Sequence, residues 1–296
     1  MTTTLLFAVL LQLPCVYPAQ SAESRAALAA AGIERLCTDA DLAAREALPT
    51  PGTAPRAGLA SPTRAPWIVA NGWRFMRRPH TKYVYDVPIG KAALAAAEAF
   101  AYGADAVLKI LPGDARASGE MLKFLGTVPF VDLPAVSDLA IVDDGSAIVG
   151  EVMNLLARRN LLFEVVQAPS PGYQINIRIG TPEYPRAEAE DPSAFASKIR
   201  RQLTDERRGL RVYGSEVVIC RLTADARRAR VHLINYGGRE IEGLRIRLRG
   251  AYGKGEARVA GAGRLDLQDQ VVADGATEFS LPRLTTYAVI DLEASR

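Results

Sequence analysis

In Leu244-Arg245-Ile246-Arg247-Leu248-Arg249, apolar and cationic side chains alternate without a break. Successive side chains of a strand point to opposite faces, so a period of two marks a strand with one buried and one wet face. Beyond Arg208 only strand-like segments follow: Leu210 to Tyr213, Glu216 to Leu222, Arg230 to Tyr236, Leu244 to Arg249, Ala257 to Val259, Thr277 to Leu281 and Tyr287 to Leu292. A run of short strands separated by turns predicts a C-terminal antiparallel β-sandwich over residues 208–296.

Upstream the pattern changes. Ala22 to Ala31 is alanine-rich and helical in character, and Gly32 precedes an extended-looking Ile33 to Cys37, which reads as a helix followed by a strand. Lys91 to Tyr102 forms a strong helix stopped by Gly103, and strand Ala106 to Leu111 and a helix from Ala115 to Leu125 come next. Asp138 to Asp143 is a continuous apolar run of the kind found in buried parallel strands. Ser146 can cap a helix from Ala147 to Arg159, and Asp191 followed by Pro192 starts another that runs to about Leu203. Strands Leu162 to Val166 and Ile175 to Ile179 lie between them. This order predicts an α/β domain over residues 22–207 with mainly parallel strands. Within it, residues 48–66 are rich in proline and small residues and form a long loop.

A chain of 296 residues, 49% hydrophobic and 23% charged, is long enough for two domains with real cores. Leu5 to Leu13 has the length of a signal-peptide apolar region and falls short of the about 20 residues that span a bilayer. The expectation is a leader over residues 1–21, secreted or periplasmic destination, and no integral membrane segment once it is removed. Cys37 and Cys220 then remain, either bridged or as two buried thiols. With two histidines and no CxxC, no metal site is expected. Arginine gathers after about residue 200, at Arg200-Arg201, Arg207-Arg208, Arg227-Arg228 and Arg245, Arg247 and Arg249. This is either an anionic-partner surface or a solvated face that discourages aggregation. Aromatic residues are not interleaved with these arginines for base stacking, so nucleic acid is not an expected partner.

Three stretches resemble the C-terminal part of secreted glycoside hydrolases of the β-galactosidase type. They are Ala97 to Asp105, Ala140 to Asp144 with Glu151 to Arg159 and Asn160 to Val166, and the closing Leu281 to Val289. The resemblance implies a flavodoxin-like domain, similar to class I glutamine amidotransferases, followed by a small β-sandwich. A complete (β/α)₈ barrel takes about 250 residues, so the barrel that precedes these domains in the family is expected to be truncated or absent here. The fold class expected is therefore α/β plus all-β: a flavodoxin-like or partial-barrel layer, then the sandwich. Amidotransferase chemistry needs a cysteine on a sharp strand-to-helix turn. The turn after Asp143 reads Asp144-Gly145-Ser146, so that activity is not expected.

Glycoside hydrolysis needs two carboxylates about 5 to 10 Å apart. Asp86, Glu98, Asp143, Asp144 and Glu183 are candidates, and Asp143 and Asp144 lie where α/β sheets bind ligands, at the C-terminal end of a parallel strand. A helix-capping turn accounts for the same pair. Trp67, Asn71, Trp73 and Arg74 can form a sugar-binding platform, or the tryptophans can fill the core. No phosphate loop or dinucleotide fingerprint occurs, and no cofactor is expected. The expected function is an exported, non-catalytic or degenerate glycoside-hydrolase-like protein that binds carbohydrate or assembles with partners, with an oligomer left open. The alternatives are an active glycoside hydrolase and a structural envelope protein.

Overall fold

The computed structural model describes residues 13–18, 21–49 and 68–295. The chain divides into two compact units, Met1–Gly52 with Arg78–Asp132, and Thr53–Arg77 with Leu133–Arg296. The elements in chain order are β1 (Cys15–Tyr17), α1 (Ala22–Ala30), α2 (Asp39–Leu42), β2 (Glu46–Ala47), α3 (Gly72–Arg77), β3 (Tyr83–Asp86), α4 (Ala92–Ala101) and β4 (Ala106–Lys109). Then come α5 (Ala115–Thr127), β5 (Leu139–Val142), α6 (Ala147–Arg158), β6 (Phe163–Val166), β7 (Ile175–Ile177), α7 (Arg186–Ala189) and α8 (Pro192–Leu203). The rest is strand: β8 (Leu210–Val212), β9 (Val218–Ala224), β10 (Arg228–Asn235), β11 (Ile241–Arg249), β12 (Tyr252–Val259), β13 (Gly263–Leu265), β14 (Gln268–Ala273), β15 (Ala276–Leu284) and β16 (Tyr287–Ala294). Most of the apolar run before Leu13, most of the proline-rich loop, and Trp67 lie outside the described residues.

The first unit is built on a parallel sheet of order β1-β4-β3-β2. Val16, Val107 and Leu108 are fully buried in it. Helix α4 is buried almost all round, which its run of alanines allows by letting neighbouring backbone come close. It ends at Gly103, whose φ of 60° is the left-handed conformation that a glycine after a helix adopts without strain. Asp114 accepts the Gly90 N–H on both carboxylate oxygens, at 3.0 Å each, and so ties the turns after β3 and β4 together.

One expectation changes in this unit. Ile33 to Cys37 is not a strand: its pairing is a single bridge between Leu36 and Val16, because the Cys37 N–H goes to the Val16 carbonyl at 2.8 Å and no further register follows. The expected leader, residues 1–21, overlaps the sheet, since β1 falls within it. A cut after residue 21 would remove β1 and one half of the Cys15–Cys37 disulfide, whose Cα atoms are 5.7 Å apart. Cys37 and Cys220 do not pair; Cys220 is a buried free thiol.

The second unit combines a parallel sheet of order β6-β5-β7 with the sandwich. Leu139, Ile141, Phe163 and Ile177 from the sheet pack with Val152, Met153 and Leu156 of α6 and with Phe195, Ile199 and Leu203 of α8. The caps read from the sequence are present. Ser146 Oγ accepts the Val149 N–H at 3.3 Å, and Asp191 accepts the Ala194 N–H at 2.9 Å with Pro192 opening the helix.

The sandwich has a five-stranded antiparallel sheet, β13-β12-β16-β10-β9, and a four-stranded one, β14-β15-β11-β8. Val231 and Leu233 of β10, Ile290 of β16, Leu244, Ile246 and Leu248 of β11, and Phe279 and Leu281 of β15 share one core. The alternation in β11 thus orients the strand as its period dictates. The closing strand β16 lies between β12 and β10, inside the sheet, and is buried on both faces for most of its length. The edge strands β13 and β14 were not expected from the sequence, since β14 is exposed at most positions and carries no clean alternation. The expected boundary near residue 208 falls inside this unit, between the parallel sheet and the sandwich.

Candidate functional site

Strand β5 ends at Val142, and the chain then turns through Asp143-Asp144-Gly145-Ser146 into α6. Gly145 has a φ of 77°, which a side chain would strain, so the turn is tight enough to bring both carboxylates back over its own backbone N–H groups. Asp143 accepts the Gly145 N–H at 3.0 Å, and Asp144 accepts the Ser146 N–H at 2.8 Å. The order β6-β5-β7 places the next strand in sequence on one side of β5 and the following one on the other. This is the switch point at which open α/β sheets form a crevice.

Helix α3, from the segment after the proline-rich loop, packs onto α6 and brings Arg77 to this turn. Arg77 Nε and Nη2 donate to Asp143 Oδ2 and Oδ1, each at 2.8 Å, and Nη2 also donates to the Ser146 carbonyl at 2.9 Å. The two side chains are only 15% and 19% exposed, so the pair is two-pronged and largely desolvated. Across the turn, Arg186 at the start of α7 donates to Asp144 Oδ2 at 2.9 Å. Partial burial works against the Asp144 charge, but hydrogen bonds from Ser146 and the Arg186 guanidinium outweigh it and hold its carboxyl at about 2.

Trp73 belongs to the core with Leu139, Val149, Val152 and Met153. The Arg74 guanidinium lies 4.4 Å from the centre of its ring, and Gly150 of α6 approaches so closely that a Cβ there would sit 3.2 Å from Trp73 Cζ3. At 8% exposure the indole is packed in the core, the second of the two places that the sequence allows it. Its Nε1 is buried without a hydrogen-bond partner among the described residues. Asn71 is buried as well, and its Oδ1 accepts from Arg74 Nη1 at 2.8 Å.

The structure therefore gathers Asn71, Trp73, Arg74, Asp143 and Asp144 in one unit, with Trp67 outside the described residues. The other candidate carboxylates stand apart. Asp86 is exposed in the first unit with Lys109 Nζ at 3.4 Å, and Glu98 is buried in α4 of that unit. Glu183 is exposed in the second, where its backbone carbonyl accepts from Lys198. The residues the sequence did not single out are Arg77, Gly150 and Arg186. Arg77 was detectable in part: it follows Trp73 by four positions, the spacing that puts two residues on one helix face.

No family model matches the chain, and no curated protein matches it in sequence. Its structure superposes on alpha-L-fucosidase isoenzyme 2 from Paenibacillus thiaminolyticus with a TM-score of 0.55 at 9% identity, over 76% of this chain and 62% of that one. A rhamnosidase from Novosphingobium sp. PP1Y superposes with a TM-score of 0.44 at 11% identity, over 73% and 32% of the two chains. A beta-galactosidase from Bacillus circulans sp. alkalophilus does so with a TM-score of 0.41 at 9% identity, over 75% and 61%. The chain spans less than two thirds of the length of each of these proteins. With the fucosidase as its measure, the chain has a glycoside-hydrolase-like fold, mixing parallel α/β sheets with antiparallel β-sheets. Among the described residues, no helix is long and apolar enough to cross a membrane.

Proposed function

We propose that this chain is a non-catalytic or degenerate glycoside-hydrolase-like protein that binds carbohydrate or assembles with partners. The four-stranded parallel sheet of the first unit is then part of a (β/α)₈ barrel. The sheet of order β6-β5-β7 follows the 2-1-3 order that begins a flavodoxin-like sheet. One observation carries the reading. The two carboxylates best placed for chemistry are both engaged, Asp143 by Arg77 in a two-pronged pair and Asp144 by Ser146 and Arg186. A general acid needs a proton at working pH, and a carboxyl held at about 2 has none to give. A nucleophile needs an open side, and Asp143 has both oxygens occupied.

The test is turnover of a panel of aryl glycosides and oligosaccharides by the full chain, with binding measured in parallel on a glycan array. Binding without turnover is the expected result. Turnover that disappears in a folded Asp143→Asn variant would sink the proposal. Export belongs to the same reading and is supported by the apolar run Leu5 to Leu13. To keep β1 and the disulfide, processing would have to end before Cys15, which the intact mass of the exported protein would reveal.

A further inference from the structure

The outer face of the four-stranded sheet carries more positive charge than its own carboxylates neutralise. Arg245, Arg247 and Arg249 recur on one side of β11, about 6.8 Å apart as every second residue of a strand is. Arg247 stands directly opposite Arg211 of β8 in the antiparallel register. Like charges in that relation repel, so the face is assembled against an electrostatic cost.

Carboxylates meet part of this charge, and the two that form ion pairs with it are each shared. Glu278 of β15 takes Arg245 Nη2 at 2.8 Å and Arg247 Nε at 3.8 Å, and also accepts the Tyr213 hydroxyl at 3.3 Å. Asp205 takes Arg208 at 3.1 Å, Arg211 at 3.1 Å and Arg200 at 3.4 Å. Five guanidinium groups thus divide two carboxylates in ion pairs, with Arg208 buried against the Arg159 and Asn160 carbonyls and Arg200 reaching in from α8. Glu206 lies nearby and its backbone carbonyl accepts from Arg247. Arg249 is exposed, and the carboxylate whose charge it feels is that of Asp138, which is buried and already shared with Arg208 and the Gly209 N–H.

We propose that this face binds an acidic polysaccharide through the uronate carboxylates along its chain. A planar guanidinium can meet a carboxylate in a fork, and Arg245 already donates from Nε and Nη2 to the one oxygen Glu278 Oε2, at 3.1 and 2.8 Å. Arg245 and Arg249, on either side of the largely covered Arg247, are the members of the row that a linear polymer repeating its charge can reach. Nucleic acid is disfavoured because the aromatic ring on the face, Tyr213, is already covered by the Arg211 guanidinium at 4.2 Å, which leaves no platform for a base. The choice of a glycan rests on the carbohydrate reading above, whereas the need for an anion rests on the arginines alone.

The experiment is affinity electrophoresis of the full chain in polygalacturonate, with neutral galactan, dextran sulfate and duplex DNA as parallel arms. Retardation by polygalacturonate is expected, weakening as added salt shortens the Debye length below about 8 Å. Replacing the exposed cations in Arg245→Gln/Arg249→Gln should weaken it about tenfold. Glu278→Gln, which releases two guanidinium groups, should strengthen it about threefold. Failure of polygalacturonate to bind at low salt overturns the proposal, as does binding indifferent to both variants at unchanged melting temperature. Equal retardation by dextran sulfate and DNA marks a general cationic surface and overturns it too. Binding to galactan with no gain from uronate overturns it while leaving the carbohydrate reading standing.

Discussion

Arg77 grips Asp143 through two parallel hydrogen bonds of 2.8 Å, joining a short helix after the proline-rich loop to the end of a buried strand 66 residues later. Removing one partner leaves the other charged and largely desolvated. Arg77→Ala is therefore expected to lower stability by about 3 kcal/mol, and Asp143→Asn by less, since an amide still accepts one bond. The double variant Arg77→Met/Asp143→Leu should recover most of the loss. Urea unfolding of the three variants reads this directly.

Gly150 permits that contact. A Cβ at this position would stand 2.5 Å from Arg77 Nη1 and 3.3 Å from Trp73 Cη2, so Gly150→Ala must displace one or both. Because the Trp73 ring is packed in the core, the cost is expected at about 1 to 3 kcal/mol despite the better helix propensity of alanine. A shift in tryptophan emission at low denaturant would accompany it, and an unchanged spectrum and midpoint would contradict the packing described.

Asn160 follows α6 with a φ of 54° and turns its amide onto β9. Its Oδ1 accepts the Cys220 N–H and its Nδ2 donates to the Val218 carbonyl, both at 2.8 Å, as an extra strand would. Asn160→Ala strands two buried backbone groups and places a β-carbon in left-handed backbone, for an expected loss of about 3 kcal/mol. Asn160→Gly removes the bonds but not the backbone freedom and should lose measurably less. Thermal melts of the pair separate the two contributions.

His232 and Tyr287 form a buried pair on the outer side of the five-stranded sheet, with His232 Nδ1 2.6 Å from the Tyr287 hydroxyl. Burial, then the charges of Arg221 and Arg230, hold the His232 imidazole well below its ordinary value of 6.5. The folded state thus binds this proton less readily than the unfolded one. The stability contributed is present above about pH 6.5 and is lost as pH falls from there toward the depressed folded value. Urea midpoints should decline below about pH 6.5, and His232→Gln should flatten that slope.

Much of the scaffold was readable in the residues. Ser146, Asp191 and Pro192 announce helix starts because capping is a matter of three or four neighbouring residues. Gly103 announces a helix end for the same reason. The strand at residues 33–37 was misread because its composition suits a strand while only one residue finds a partner, and pairing is not local. β14 escaped notice because an exposed edge strand has no buried face to impose a period. Within the candidate site, the turn at Asp143 and Asp144 was visible, and the capping account of it holds alongside two ion pairs that could not be seen. Trp73 suits a sugar or the core by its composition alone, and its packing against Gly150 is a contact that only the fold creates.

By itself, the sequence determined the order of the longer helices and of the strands with a buried face, the side that each turns inward, and the gathering of arginine beyond residue 200. These follow from backbone geometry and from the exclusion of apolar groups from water, which act over a few residues. The tertiary structure alone decided which charges meet. Arg77 with Asp143, Arg186 with Asp144, and Glu278 shared between Arg245 and Arg247 each join separate elements of the fold. A carboxylate's chemistry depends on what stands within a few ångströms of it, and that distance is set by packing rather than by position along the chain.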